Sequence, residues 1–396
     1  MESYLKNNNL ECCSGCGACV QACPTHSITF TKQEDGFNVP EINEEKCIHC
    51  NKCMNVCPYS HPVDYYKTIK SYAVKTKNAD AQIMSSSGGC FFGLACSVIE
   101  RGGIVFGAIM DKSYCCVHQV ATNYDELKPL LGSKYVQSRC DIVFPMVKAS
   151  LCESKIVLFA GTPCQIAGLK NFLVKEYENL LLVDIACHGV PSNSDFLKCI
   201  EWIEQKHGGK LTYLRFRDKK YAGWIHSLTY KVEKNNSVKI RTVAPYKIPY
   251  YYFFLYSRNI RRSCYKCPYV GTLRVGDITL ADFWAAERLL SEKEIGKGIS
   301  VALCNTKKGV KWLNKSTEYL DIRQIDTDLA VRNNQPFSQL PNTYPMREEL
   351  LNHVISNGYK DIRKYYRFRE LILGAVKAAV PETVKRKIFR LFGEKR

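Results

Sequence analysis

The chain has 396 residues, 46% of them hydrophobic, enough for two or three domains with a sizeable core. Met1 to Glu11 is polar and lacks a signal pattern, and no apolar run approaches the ~20 residues of a membrane span. Export and membrane crossing are therefore not expected, and the expected location is the cytoplasm, where 21 cysteines mean metal or redox work rather than disulfides. The net charge of +18 has no nucleic-acid-binding signature beside it and fits an acidic partner better, such as a phosphorylated cofactor or a membrane surface.

Residues 1–62 form the first expected domain. Cys13 to Pro24 reads CSGCGACVQACP, and Cys47 to Pro58 reads CIHCNKCMNVCP. Both place four cysteines at x2, x2 and x3 spacing before a proline, the run used by two-cluster bacterial ferredoxins. In that pattern three thiolates of each run wrap one [4Fe-4S] cubane and the fourth reaches across to the other. Cluster one is thus assigned to Cys13, Cys16, Cys19 and Cys57, and cluster two to Cys47, Cys50, Cys53 and Cys23. Zinc and disulfides are the alternatives, but the first three cysteines of each run lie closer together than in most zinc knuckles. Cys12 is a bystander. SITFTKQEDGFNVPEIN, between the runs, reads as a hairpin turning at Glu34-Asp35-Gly36.

The pattern changes at residue 70. SYAVKT, IVFGAIM, KIVLFAG and LLLVDIACHG read as strands, alternating with helices in FFGLACSVIE, TPCQIAGLKNFLVKEY and SNSDFLKCIEWIEQKHGG. Such alternation predicts an α/β unit over 70–210 with a mainly parallel sheet. Ligands of such sheets sit beyond the carboxyl ends of the strands, which gathers the loops at Ser85–Gly89, Gly161–Gln165 and Cys187–Pro191. Residues 211–345 read as β-rich. Within them the aromatic run Ile248 to Tyr256, with Trp224 and Trp284, is either core or a wall facing a flavin or substrate. Residues 346–396 read as a basic amphipathic helical tail split at Pro381; twelve Lys/Arg stand against four Asp/Glu from Lys360 onward. Such a tail either lies on an anionic membrane face or packs on the body. The expected fold class is α+β: a two-cluster ferredoxin domain, an α/β domain, a β-rich part and a helical tail.

A second constellation stands in loops. Cys164 follows a strand and opens a helix, Cys187 ends another strand, and Cys264 and Cys267 form a CxxC beside Arg261 and Arg262. The readings are a third four-cysteine cluster, zinc, a redox dithiol, or unrelated buried cysteines.

SSGGCFFGLA, GSKYVQS, FAGTPCQIAGLK, ACHGVPS, CYKCPY and GDITLADFW, in that order, resemble the coenzyme F-420 hydrogenase/dehydrogenase beta-subunit family, in its bacterial form with an N-terminal two-cluster module. The resemblance runs from about residue 10 to about residue 340. It implies FAD and a third [4Fe-4S] cluster beside it, at Cys164, Cys187, Cys264 and Cys267. Ser87, Gly88, Gly89, Gly161 and Thr162 open helices where free N–H groups favour phosphate. Lys134 is a candidate partner of the pyrophosphate or the reduced flavin, and Asp277 and Asp282 either orient the flavin or satisfy loop backbone. His188 is the weak candidate for a catalytic proton donor. The implied function is an iron–sulfur flavoprotein oxidoreductase moving electrons between clusters and an organic hydride acceptor or donor, deazaflavin among them, with a redox partner protein or ferredoxin feeding it. The alternatives are an electron-transfer subunit serving a partner oxidoreductase, and a non-catalytic iron–sulfur scaffold.

Overall fold

The computed structural model describes residues 4–372. The first domain is a small unit capped by a hairpin, β1 (Ile28–Lys32) and β2 (Asn38–Ile42), paired antiparallel. Gly36, at a φ of +79°, makes the turn where expected.

The body is built on one eight-stranded sheet. Its strands are β3 (Lys70–Thr76), β4 (Ile104–Met110), β5 (Cys116–Ala121), β6 (Val157–Gly161) and β7 (Leu180–Ile185), joined later by β11 (Ile278–Asp282), β12 (Ser300–Cys304) and β13 (Leu320–Ile325). The spatial order is β13-β3-β12-β11-β7-β6-β4-β5. Only the centre is parallel, through the pairs β4–β6, β6–β7 and β7–β11. The outer pairs are antiparallel, so the mainly parallel sheet expected from the alternation is a mixed one. Of the late strands only β11 takes a parallel partner, β7, whereas β12 and β13, joined by the helix Lys307–Lys315, flank β3 and run antiparallel to it. The sheet therefore draws strands from both sides of residue 211, where a domain boundary was expected. Helices α1 (Cys90–Ile99), α2 (Pro163–Leu173) and α3 (Asn193–His207) follow the predicted pattern. Ser192 caps α3, accepting from Asp195 N at 3.1 Å.

The β-rich expectation for 211–345 holds for a separate three-stranded antiparallel sheet, β8 (Lys210–Phe216), β9 (Leu228–Lys234) and β10 (Ser237–Val243). Its edge strand β10 is exposed and carries Lys239 and Arg241, charges that discourage pairing with another chain. The aromatic run is a helix, α4 (Pro249–Leu255), and Tyr250 to Phe254 are all buried in the core between β8–β9 and α3. Of the expected tail, Arg347–Asn357 forms helix α5, whose Arg347 pairs with Asp35 of the hairpin at 3.1 Å. Residues 373–396, including Pro381 and most of the basic amphipathic stretch, lie outside the described residues.

Candidate functional site

Three parallel strands, β6, β7 and β11, end side by side. Cys164, Cys187 and Asp282 follow or close them at the carboxyl edge. The loop Ser85–Gly89 reaches the same edge by packing on β3 and β12. A methyl group on Gly88 would lie 2.2 Å from Val74 O and 2.5 Å from Ser300 N. The absence of a side chain at Gly88 is thus accounted for by the sheet itself. Gly89, at a φ of +87°, starts α1 against Thr76.

The cysteines fall into three groups. One cavity is lined by Cys13, Cys16, Cys19 and Cys57, the first set, with Cys12 at its wall. A second is lined by Cys23, Cys47, Cys50 and Cys53, the second set. The fourth cysteine of each run therefore sits with the other run's first three. Burial pushes the Cys16 thiol up to about 12, and the neighbouring Cys57, Cys164 and Cys13 add to the shift. Burial also raises Cys53, with Cys23 and Cys47 contributing. Cys23 differs: despite burial its thiol is lowered to about 7, because Ser27 and Thr25 hydrogen-bond to it.

Cys164, Cys187, Cys264 and Cys267 form the third set. Burial drives Cys187 well above its ordinary value, and Cys264, Cys164 and Cys267 each add to it. Cys267 is pushed up to about 12 by burial and then by Cys264 and Cys164. Four half-buried thiols crowded together cannot all ionise unless something positive lies among them. Iron ions ligated by thiolates meet that need, so all three sets fit iron–sulfur clusters. All the described cysteines are free of disulfides.

The first set lies between the other two: Cys16 and Cys19 respond to charge on Cys164 and Cys53 respectively. Close packing makes this contact. A methyl on Gly168 of α2 would lie 2.8 Å from Cys16 Sγ, and one on Gly17 would lie 2.3 Å from Asp141 Cβ. These glycines let the dicluster unit sit directly on the body.

Beyond the third set lies a basic, aromatic box that the sequence reading largely missed. Arg217, just past β8, donates to both oxygens of Asp282, at 2.5 and 2.9 Å, and Trp224 Nε1 donates to one of them at 3.0 Å. The rings of Trp224 and Trp284 stack with centroids 5.1 Å apart, and the Arg217 guanidinium lies 5.2 Å from the Trp284 ring. Lys219 Nζ donates to Ser87 O at 2.5 Å and Lys297 O at 2.7 Å, and burial lowers its ammonium to about 7. Arg215 donates to Met84 O. His226 lies 5.6 Å from the Trp284 ring and feels the charges of Arg217, Asp282 and His188. His188 thus connects the box to the adjacent Cys187. Its Nε2 lies 3.1 Å from Ser257 Oγ, its ring edge meets Phe254, and burial lowers its ionisation.

The other predicted residues divide. Ser87 and Asp282 belong to the box. Lys134 is at its margin, with Nζ donating to Pro129 O and Leu131 O at 2.8 and 3.1 Å, and burial lowers it to about 7. Thr162 Oγ1 lies 3.2 Å from Cys164 Sγ, so Gly161 and Thr162 adjoin the third thiol set. Thr162 and Gln165 already form a capping box there. Asp277 serves backbone and neighbours instead, accepting from Leu182 N at 2.9 Å and Thr306 Oγ1 at 2.7 Å. Cations, a tryptophan stack and the buried Arg217 Nε, which lacks a hydrogen-bond partner, fit an anionic ring-bearing cofactor.

Chained thiol sets that lead from the surface to such a box are the equipment of an iron–sulfur oxidoreductase component. Residues 12–61 match the 4Fe-4S dicluster domain, and residues 154–328 match the C terminus of the coenzyme F420 hydrogenase/dehydrogenase beta subunit. The beta-subunit match covers less than half of the chain and leaves residues 62–153 outside both matches. A coenzyme F420-dependent sulfite reductase of Methanocaldococcus jannaschii is 28% identical over 184 residues, which are 45% of this chain and 28% of that protein. An uncharacterised protein of the same organism is 25% identical over 213 residues, 44% of this chain and 58% of its own. The chain spans less than two thirds of either relative. Among solved structures, a chain of the F420-reducing [NiFe] hydrogenase complex of Methanosarcina barkeri superposes with a TM-score of 0.44 at 15% identity, over 77% of this chain and 95% of that one.

Proposed function

We propose that the chain is an oxidoreductase that exchanges electrons between ferredoxin-type clusters and an organic hydride carrier, through FAD held in the Arg217–Trp284 box. The adjacency of the third thiol set to that box, through Cys187 and His188, carries the reading. When bound, the clusters handle single electrons and a flavin couples these to hydride chemistry. The chain's own residues supply the rest. Twelve thiols, in the three sets, hold the clusters. Arg217, Lys219 and Arg215 supply positive charge for phosphate or a reduced ring, and the two tryptophans supply a stacking face. Asp282 orients Arg217 and the Trp224 indole. Substrates of deazaflavin type suit the same box, being anionic and ring-bearing.

The thiol sets run in the order second, first, third, ending at the box. Cys50, on the second set, is exposed, and the neighbouring Ile48 is 62% exposed. That apolar tip suits an external redox protein and favours a second reading, in which the chain relays electrons within a complex. No helix among the described residues is long and apolar enough to cross a membrane.

Anaerobic purification with iron, sulfide and flavin counted per chain tests the proposal. About twelve irons and one FAD are expected. About twelve irons without flavin would leave the relay, and about eight would reduce the chain to a dicluster unit on a body of other use.

A further inference from the structure

Among the described residues five arginines are buried: Arg217, Arg258, Arg261, Arg274 and Arg347. Four pair with carboxylates, on Asp282, Glu370, Asp184 and Asp35 respectively. Arg261, 4% exposed, has a different set of partners. Its Nε donates to Cys13 O at 2.7 Å, one terminal nitrogen to the Gln137 side-chain oxygen at 3.0 Å, and the other to Asn38 O at 2.8 Å and Cys13 Sγ at 3.5 Å. None of these is an anion in the thiol form. A guanidinium is always charged, and burying one without a counter-charge is strongly unfavourable. The missing anion belongs where the thiols are.

The surroundings are shaped for this placement. Gly15 has a φ of +69°, and a methyl there would lie 2.9 Å from Arg261 Nη1 and 2.6 Å from Gln137 Nε2. Gln137 is itself fixed, donating to Ser14 O at 2.9 Å. On the other side, Cys264 N donates to Arg261 O at 3.0 Å, so the arginine begins the turn that carries the CxxC of the third set. Burial raises the thiols of Cys164 and Cys264, and the Arg261 charge opposes that in both. At the second set the hydrogen bonds to sulfur come from Thr25 and Ser27 at Cys23, with His49 Nδ1 3.9 Å from Cys47 Sγ, and no buried arginine reaches its thiols among the described residues.

We propose that Arg261 is the counter-charge of the cluster held by Cys13, Cys16, Cys19 and Cys57, and that it raises that cluster's reduction potential above that of the cluster on the second set. Positive charge and N–H···S bonds favour the more negative, reduced form of a thiolate-ligated cluster. The first set then becomes an electron-holding step between the exposed set and the box. This rests on iron–sulfur occupation of the first set.

The test uses the full chain, purified anaerobically as wild type, Arg261→Gln and Arg261→Lys, with iron counted and cluster potentials read by EPR-monitored titration. Arg261→Gln is expected to keep its iron and lower the potential of one dicluster signal by at least tenfold in the one-electron equilibrium, ~59 mV. Arg261→Lys, which keeps the charge but loses the fork, is expected to lower it by less. Should Arg261→Gln lose iron, Arg261→Lys decides alone. Unchanged potentials in an iron-replete variant would overturn the proposal, and would be the result if Arg261 merely anchored the dicluster unit. Absence of iron from the wild type would instead refute the cluster assignment on which it rests.

Discussion

Arg217 and Asp282 lock the two sheets together at the candidate site. The arginine follows β8 of the small sheet, the aspartate ends β11 of the large one, and both oxygens of the carboxylate accept from the guanidinium. The side chains are 4% and 15% exposed, so neither charge is left to water. Removing one partner strands the other, at a cost of about 3–5 kcal/mol. Asp282→Asn is therefore expected to lower stability to urea by that order and to reduce bound flavin. Burial works to raise the Asp282 carboxyl, but Arg217 overrides it and the net shift is below the ordinary 3.8. The unfolded chain thus takes up this proton first. The pair's contribution is present at neutral pH and lost as pH falls through the acid range, and Asp282→Asn should flatten that acid limb.

Lys219 behaves oppositely. Burial lowers its ammonium from 10.5 to about 7, so between those values the unfolded state holds a proton that the folded state has released. Stability should rise with pH across that window, by at most ~1.4 kcal/mol per unit. Lys219→Met should abolish that slope in urea titrations at pH 7, 8 and 9. An anion in the box would draw the proton back. Flavin binding near pH 8 should then take up protons, measurable by calorimetry in buffers of different ionisation enthalpy.

The two cysteine runs suggest a pairing because cluster ligation imposes a spacing on the chain, and the fold gathers the same eight thiols around two cavities. The third set was partly legible, since Cys164 and Cys187 each follow a buried strand and the edge of a sheet is predictable from its strands. Arg215, Arg217 and Lys219 were not recognised. They alternate in LRFRDKK, which resembles the solvent face of any strand, and the burial of Arg217 and Lys219 depends on Asp282 and Ser87, 65 and 132 residues away in sequence. The signal available was the basic alternation followed at once by Trp224 and His226. Gly88 and Gly89 suggested a phosphate cradle because glycine permits close approach, but sequence alone does not say to what: at Gly88 it is sheet backbone.

Gly168 makes a sharper test of how the dicluster unit is seated. It lies mid-helix in α2, where alanine would ordinarily stabilise by about 0.5–1 kcal/mol. Here its methyl would sit 2.8 Å from Cys16 Sγ and 2.9 Å from Cys16 Cβ. Gly168→Ala should therefore destabilise by ~1–3 kcal/mol instead, as overpacking does. It should also slow reduction of bound flavin by a chemical reductant acting at the exposed second set, while total iron stays unchanged.

Exposure should order the loss of iron. Cys50 is exposed, whereas Cys164 and Cys187 are only partly exposed, Cys164 beside Ser14 of the dicluster unit and Cys187 next to His188, whose ring edge meets Phe254 of α4. A chelator added under mild oxidation is expected to remove about four irons first, with the flavin still bound. Cys50→Ala should begin at that same state. The paired change Cys264→Ala and Cys267→Ala should remove a different group of about four, and because Cys187 leads through His188 into the box, flavin content should fall with it. Uniform loss of all iron to the chelator would contradict the separation into a more exposed and a less exposed set. Full iron in the paired variant would show that the third set holds no cluster.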